Sequence, residues 1–534
     1  MGGAQRLEEG AVSVIPGQPD SATNRRPFDP GAKFGFLNVL LLLALTLTVT
    51  VWGVMFVGGV SGYELESFIS LAGLFGVACA FFVASRVSAG FQNLFEIPVY
   101  MTVVAFLMFG AAPLVNFLDP STMAPKFHGD ASPFLPALGL VIVGMVAFWL
   151  GAGIARTRKQ PPAALDLATL PGSAPRYLTL ALGTCLYLTG FVAKVYMLRS
   201  GMFAYLESME VTKARLAELQ VWLVLERFGF YALIIFIIEM YYHPADKVRT
   251  WLFWAVLGSE CFWGLISGMK RPLLENLLVV ALVSSVAGRK LRLRWFAIAI
   301  LGLIAVYPLI NQYRSIVRKS TGVTSVTEVS DATEALGGAA GRAAGQGETT
   351  GGWLASGWSS SVNRVNMLQQ VAILQAYESR AYLLEGDERL WMIPFYPFVP
   401  RLLWPGKPVP DKAMRLSRLL GGGPMATSSA VTIPGDLYVL QYGIAGLLVG
   451  MFLIGLVVQW LTNPVKLCPS KRHLFIYACI FFPAANWEAG FFDYSVVVIR
   501  TFVIAQILAS VVYGPPPRAP SRAGLLPGRA VPRR

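Results

Sequence analysis

The sequence predicts an all-α polytopic membrane protein with about 12 transmembrane helices and one large periplasmic loop. Of its 534 residues, 55% are apolar and 14% are charged, and the mean hydropathy is +0.57, so charged surface is too scarce for a soluble protein of this length. The apolar residues stand in blocks such as Leu37–Val57 and Leu440–Leu461, close to the ~20 residues that a helix needs to cross the hydrocarbon. Because the blocks lack the period-two alternation of a membrane barrel, they are predicted to be helices.

Twelve predicted spans divide the chain into five regions. A cytoplasmic tail (1–33) precedes nine helices in 34–311, a large periplasmic loop in 312–435, three helices in 436–513 and a disordered basic cytoplasmic tail in 514–534. The polar tail before the first block argues against a cleavable signal peptide, which begins close to the N-terminus. The predicted spans are 34–58, 66–86, 98–118, 133–154, 176–198, 220–242, 249–267, 272–288, 294–311, 436–461, 473–487 and 491–513.

The charge pattern sets the predicted orientation. The net charge of +14 comes largely from basic residues in the tails and in short loops on one side of the spans, and such residues mark the cytoplasm. Both termini are therefore predicted to be cytoplasmic, and the basic balance needs no nucleic-acid partner. Lys270 and Arg271 are the exception, because they form a basic short loop on the otherwise acidic outer side.

The large loop is predicted to have three parts. Asp331–Gly357 is rich in Gly, Ala and Thr and is predicted to be flexible. Ser359–Arg380 has apolar residues mostly three and four apart, which predicts a helix. The aromatic and proline-rich segment Trp391–Pro408 follows. Its rings suit stacking on sugars, and they equally suit a membrane interface without a ligand.

Three glycines share one face of the tenth predicted span. Gly443, Gly446 and Gly450 recur at threes and fours. Small residues let helix backbones approach closely in a membrane, so this face predicts tight helix packing.

Cations gather beside the spans on the predicted outer face. The planar guanidinium of arginine matches phosphate geometry and stays charged at any relevant pH, so a group of them at the lipid–water boundary predicts a site for a lipid-linked pyrophosphate. Snorkelling toward lipid headgroups is the alternative. Arg271, Arg314 and Arg401 together favour the site, because they depart from the positive-inside pattern. The outer cations are Lys270, Arg271, Arg314, Arg318, Lys319, Arg364, Arg401 and Lys407, the last two flanking Trp404.

Several carboxylates are candidates for a general base that acts on a sugar hydroxyl. Glu275 lies four residues after Arg271, and an i, i+4 salt bridge is the alternative for it. For Glu226, beside Arg227, pairing within the bundle is favoured. The sequence does not choose the base. The other candidates are Glu260, Asp436, Glu488 and Asp493.

No cofactor and no metal are predicted. The three histidines are far apart and lie near no Cys or acidic cluster, which disfavours a metal site. None of the five cysteines lies in the large loop, so no disulfide framework is expected. No P-loop, dinucleotide fingerprint or nucleophile elbow occurs.

The end of the large loop resembles a known family. Ile393–Pro408 ends in Val-Pro-Arg-Leu-Leu-Trp-Pro-Gly-Lys-Pro, which resembles the I-P-R-x-x-W-P-x-K-P signature of O-antigen polymerase-like proteins, with Val399 in place of isoleucine. Pro434–Gly443 is similar to that family's approach to its next helix, and Lys270–Arg271 and Tyr313–Arg314 fall where the family tends to place cations. The resemblance runs from about span six to span ten.

The resemblance implies a bacterial oligosaccharide repeat unit polymerase. Such a protein resembles the C-type integral-membrane glycosyltransferases and lies in the bacterial inner (plasma) membrane. It transfers a glycan chain from undecaprenyl pyrophosphate to a new lipid-linked repeat unit on the periplasmic face, without a metal, and so builds O-antigen, capsule or exopolysaccharide. A flippase and a chain-length regulator are the implied protein partners. The implied catalytic residues are Arg271, Arg314, Arg401 and Glu275, and the implied substrate-binding residues are Lys270, Arg318, Arg364, Trp404, Lys407, Asp436 and Tyr438.

Two other functions fit the same plan. An O-antigen ligase also combines many spans with a large loop, but it transfers the glycan to a lipid-core acceptor. A flippase or another transporter of lipid-linked oligosaccharide is less favoured, because the sequence shows neither an internal repeat nor broken helices in matching halves. The sugar, the linkage and the oligomeric state are not specified by the sequence.

Overall fold

The structure is a computed structural model, and it is helical throughout the part of the chain that it describes. The described residues are 63–86, 95–118, 132–156, 176–203, 216–286, 328–345, 364–376, 388–399, 412–419, 430–467 and 470–514, with isolated positions in 302–317, 358–362 and 378–408.

Several described helices follow one another closely, with one residue between α6 and α7 and three between α8 and α9. A π-helical turn, Phe106–Ala111, joins α2 to α3, and a 3₁₀ turn lies at Leu390–Met392. In chain order the α-helices are α1 (Tyr63–Arg86), α2 (Ile97–Ala105), α3 (Ala112–Leu118), α4 (Phe134–Ile154), α5 (Arg176–Arg199), α6 (Leu216–Glu226), α7 (Phe228–Tyr242), α8 (Lys247–Ile266), α9 (Lys270–Val286), α10 (Val329–Gly345), α11 (Leu368–Ala376), α12 (Lys412–Leu419), α13 (Ile433–Val439), α14 (Gly443–Leu467), α15 (Lys471–Ala484) and α16 (Phe491–Tyr513).

Seven helical stretches of the described part are long and apolar enough to cross a membrane. They coincide with seven predicted spans, which confirms a membrane-embedded helical protein, whereas the total of twelve spans and the periplasmic side of the large loop stay predictions. The predicted span 34–58 lies outside the described residues, as does most of 294–311. The seven stretches are Leu65–Arg86, Ile97–Phe117, Phe134–Ile154, Tyr177–Arg199, Glu218–Tyr242, Gly443–Val465 and Phe491–Tyr513.

Glycines set the closest helix contacts. The most extensive packing joins α4 to α14, where a Cβ on Gly151 would overlap the carbonyl oxygen of Phe452. Between α5 and α7, a Cβ on Gly190 would overlap the backbone of Gly229. Small residues thus let backbones meet where lipid gives no hydrophobic drive for association.

A buried charge cluster ties three helices together at the predicted cytoplasmic end. Glu239 of α7 forms an ion pair with Arg249 of α8 at 2.9 Å and accepts a hydrogen bond from Lys471 of α15 at 3.0 Å. All three residues are at least 96% buried. Because a lone buried charge is costly, these partners fix the register of the three helices.

The prediction of a flexible Gly/Ala-rich stretch is wrong for its first part. Val329–Gly345 forms α10, and Ala332 and Ala339 are fully buried in a small core beside Tyr313 and Trp263. Alanine has the highest helix propensity, and a flat alanine face packs closely. In the next part of the loop, the predicted helix is confirmed over Leu368–Ala376.

The tenth predicted span begins later than expected. It was predicted from residue 436, but a short helix, α13, comes first and the long helix starts at Gly443. Tyr442 and Gly443 both have positive φ, 69° and 66°, which ends one helix and redirects the chain. The predicted close packing is confirmed at Gly450, where a Cβ would lie 2.5 Å from Leu437 of α13, and is wrong at Gly443, where a Cβ would meet open space.

Candidate arginine-lined cleft

A cleft with two lobes lies between several of the apolar helices and α9, whose first turn carries the predicted cations Lys270 and Arg271. The first lobe is lined from α6, α7, α9, α15 and α16, and the second from α5 to α9. Arg227, Phe230 and Glu275 line both lobes, so the two lobes adjoin at these three side chains.

Glu275 holds two arginines at the centre of the cleft. One carboxylate oxygen accepts from Arg227 Nη1 at 2.6 Å and the other from Arg271 Nε at 2.6 Å. The Glu275 side chain is 5% exposed, whereas those of Arg227 and Arg271 are 43% and 48% exposed. The i, i+4 salt bridge, given above as the alternative to a base role for Glu275, is therefore confirmed, and each guanidinium keeps further donors for another anion.

Both arginines lie where a helix begins. Arg227 is the single residue between α6 and α7, and Arg271 lies in the first turn of α9. A cation at the positive end of a helix dipole is unfavourable. The buried carboxylate of Glu275, one turn further on, offsets that cost.

Arg500 supplies a third guanidinium from α16. It lines the first lobe beside Tyr231, Pro483 and Thr501, and it forms no ion pair with a carboxylate of the described residues. The first lobe thus has three arginines and one carboxylate, Glu275, a formal charge of +3 − 1 = +2. This lobe can bind a divalent anion.

The second lobe contains an internal ion pair. Lys194 Nζ lies 2.5 and 2.6 Å from the two oxygens of Glu260, with both residues over 90% buried. A Cβ on Gly229 would overlap Glu260 Oε1, so glycine makes room for this pair. Glu226 and Asn276 line the same lobe.

Four predicted site residues surround the junction between α8 and α9. Gly268, with φ +62°, turns the chain, and its carbonyl accepts from Arg314 Nε at 2.7 Å. The pKa of Lys270 is lowered to about 6, first by burial and then by the positive charges of Arg314 and Arg364. Since these charges act on the residue next to Arg271, the junction brings Lys270, Arg271, Arg314 and Arg364 together.

Lys407 and Trp404, which were predicted to bind substrate, contact other residues of the protein instead. Lys407 is 5% exposed; its ammonium donates to the carbonyl of Val399 at 2.8 Å and lies 4.2 Å from the Tyr396 ring centroid. Trp404 packs edge-on against the same ring at 6.3 Å, and Tyr396 packs on Phe492 of α16 at 5.1 Å. This segment therefore braces the helix that carries Arg500.

Asp436 and Tyr438 lie on α13 and do not line either lobe. Asp436 is fully buried; it pairs with Lys412 at 3.1 Å and accepts from the backbone N–H of Phe491 at 2.6 Å. Burial, and then the charge of Glu378, raises the pKa of Tyr438. Asp436 thus fixes the start of α16.

Three predicted cations, Arg318, Lys319 and Arg401, lie outside the described residues. The sequence interpretation missed the role of Arg500 and treated Arg227 only as a partner of Glu226. An arginine inside an otherwise apolar span was the available signal for Arg500, because such residues are rare and usually functional. Among the described residues, no cluster of His, Cys, Asp or Glu suits a metal ion.

Comparison with known proteins gives a family and no named relative. The model of a family described as a domain of unknown function (DUF8712) matches residues 187–467, more than half of the 534-residue chain. No curated protein and no solved structure matches the chain. The matched region includes Glu226, Arg227, Arg271 and Glu275, and it ends before Arg500.

Proposed function

The chain belongs to the family of the domain of unknown function DUF8712, and on that premise we propose that it is a membrane glycosyltransferase whose donor is a glycan on a lipid pyrophosphate. The proposed reaction joins oligosaccharide repeat units carried on undecaprenyl pyrophosphate into a surface polysaccharide at the outer face of a bacterial inner membrane.

The charge of the first lobe is the observation that carries this proposal. The lobe is lined by three guanidiniums, from Arg227, Arg271 and Arg500, and by one carboxylate, that of Glu275. Its formal charge is therefore +2. A pyrophosphate esterified at both ends carries two negative charges. Guanidinium forks also match phosphate oxygens in geometry.

The lining of the lobe suits the rest of such a donor. Phe230, Phe482, Val497 and Ile504 line it together with the arginines, and two walls belong to the apolar stretches Glu218–Tyr242 and Phe491–Tyr513. A lipid tail can lie along such walls while its diphosphate meets the arginines. A charged side chain within an apolar membrane span, such as that of Arg500, is energetically unfavourable and usually has a function.

The arrangement supports departure of the diphosphate. When the glycosidic bond to the donor breaks, negative charge builds on the bridging phosphate oxygen. Fixed guanidiniums in a site of low dielectric stabilise that charge more than water would. Both substrates carry a diphosphate, and the guanidiniums of Arg314 and Arg364 at the neighbouring junction, with the amine of Lys270, give the second one a place to bind.

The test uses the purified full chain in lipid nanodiscs with lipid-linked repeat units from a strain that lacks it. We expect a ladder of longer products from the wild type. The Arg500→Gln variant removes one charge-assisted contact worth about 1.5–3 kcal/mol, so binding of undecaprenyl pyrophosphate should weaken by about 10- to 100-fold.

Arg199→Gln is the matched control. Arg199 is an exposed arginine at the end of α5 and lines neither lobe, so binding and product length should stay within about twofold of wild type. No ladder from the wild type, or equal losses in both variants, would contradict the proposal. In a deletion strain, loss of polymer with single repeats retained on the lipid core indicates a polymerase, whereas loss of both indicates a ligase.

A further inference from the structure

Four of the six carboxylates that were candidates for the general base form ion pairs with cations. Each pair leaves the carboxylate with a fixed partner and little capacity to accept a proton from a substrate. The pairs are Glu275 with Arg227 and Arg271, Glu260 with Lys194, Asp436 with Lys412, and Glu488 with Arg364.

Glu226 and Asp493 differ from these four. Neither carboxylate forms an ion pair or hydrogen bond with another described residue. Only Glu226 lines the cleft. Asp493 lies about two turns from Arg500 on α16, outside the lining of both lobes.

The position of Glu226 places its carboxylate beside the anion site. It is the last residue of α6, directly before Arg227, and it is half-buried. It lines the second lobe, and Arg227 and Glu275, which line the first lobe, line the second as well. A diphosphate bound by Arg227 in the first lobe would therefore leave its sugar within reach of the second lobe.

We propose that Glu226 is the general base of the transfer, an inference that rests on the proposed glycosyltransferase function. The Glu226 carboxylate takes the proton from the acceptor sugar hydroxyl while that oxygen bonds to the anomeric carbon of the donor. The bond from the anomeric carbon to the diphosphate oxygen breaks, and its electron pair leaves with the diphosphate, which Arg227, Arg271 and Arg500 hold. The proton on Glu226 then passes to water.

The experiment compares Glu226→Gln, Glu226→Asp and Asp493→Asn in the full chain in nanodiscs. Binding is measured with undecaprenyl pyrophosphate, and transfer is measured in single turnovers from pH 5.5 to 8.5. For Glu226→Gln we expect binding within about threefold of wild type and transfer slower by about 100-fold or more, the usual loss when a general base is removed.

The other two variants separate chemistry from structure. Glu226→Asp keeps a displaced carboxylate, so it should retain partial transfer with a shifted acid limb of the pH profile. Asp493→Asn should transfer within about threefold of wild type, since Asp493 lies away from the cleft.

Three results would overturn the assignment. They are transfer by Glu226→Gln within threefold of an active wild type, a parallel loss of undecaprenyl pyrophosphate binding in that variant, and a Glu226→Asp variant with full transfer and an unshifted profile. If the wild type shows no transfer, both the proposed glycosyltransferase function and the general-base assignment are refuted. If the wild type and Glu226→Gln are both active, only the assignment of Glu226 as the base is refuted.

Discussion

Lys270 shows how strongly the α8–α9 junction concentrates positive charge. Lys270 is half-buried, and burial, followed by the positive charges of Arg314 and Arg364 from other segments, lowers its pKa from 10.5 to about 6. At neutral pH it is therefore mostly uncharged. A diphosphate bound at the junction would restore its proton, because a nearby negative charge favours the ammonium form.

Amine labelling tests this state. In the folded chain Lys270 binds its proton only below about pH 6, whereas in an unfolded chain it binds the proton up to about pH 10.5. Between these two pH values the contribution of Lys270 to the free energy of unfolding therefore increases as the pH rises. We expect acetylation of Lys270, followed by mass spectrometry, to level off above about pH 7. The exposed Lys247 is the comparison, and its labelling should still rise at pH 8. A Lys270 rate that rises in parallel with that of Lys247 would refute the lowered pKa.

Sequence spacing predicted local partners and missed distant ones. Glu275 and Arg271 are four residues apart, and the helical period brings them together. Arg227 and Glu275 are 48 residues apart, and no local pattern links them. Arg500 joins them only because α16 packs beside α15, which is a tertiary contact.

At the scale of elements, the contact between α4 and α14 depends on two glycines. A Cβ on Gly151 would overlap Phe452 O, and one on Gly455 would overlap Phe148 O. The two backbones therefore touch at this crossing. Gly153 lies on the same helix with open space around its Cβ position.

Gly151→Ala should destabilise the bundle, because the helices must separate to admit the methyl group. We expect the free energy of unfolding to fall by about 1–3 kcal/mol, measured as a lower thermal midpoint of the detergent-solubilised chain. Gly153→Ala, the matched control, should be neutral or slightly stabilising, since alanine favours helix over glycine. Equal midpoints for both variants would show that the crossing is not close.

Hydropathy located the long helices but not their breaks. Seven predicted spans coincide with long apolar helices, because burial in lipid selects for apolar composition. The break before α14 needs positive φ at Tyr442 as well as at Gly443. A tyrosine rarely adopts that conformation, so composition gave no warning of it.

At the scale of the whole molecule, sidedness follows from charge. Three predicted spans, 249–267, 272–288 and 294–311, separate the α7–α8 connection from α10. The first two coincide with α8 and α9, which are outside the seven most membrane-like stretches. If all three spans cross the membrane, the α7–α8 connection and α10 lie on opposite sides of it.

Cysteine labelling tests that arrangement. In a chain whose five cysteines are replaced by serine, Ser330→Cys on α10 should react with an impermeant maleimide in intact spheroplasts. Ala245→Cys, between α7 and α8, should react only after permeabilisation. Both positions are exposed. The reverse result would invert the topology, and labelling of both from outside would mean that one of the three helices does not cross.

The bridge that Glu275 makes between Arg227 and Arg271 bears on how the proposed enzyme would avoid product inhibition. A diphosphate freed from its glycan carries more charge than the donor, so bare arginines would retain it and stall the next cycle. A carboxylate tethered 2.6 Å from two of them is a permanent rival for the same donors. The Glu275 carboxylate thus lowers the affinity of the arginines for any bound anion, and the diphosphate product dissociates faster as a result.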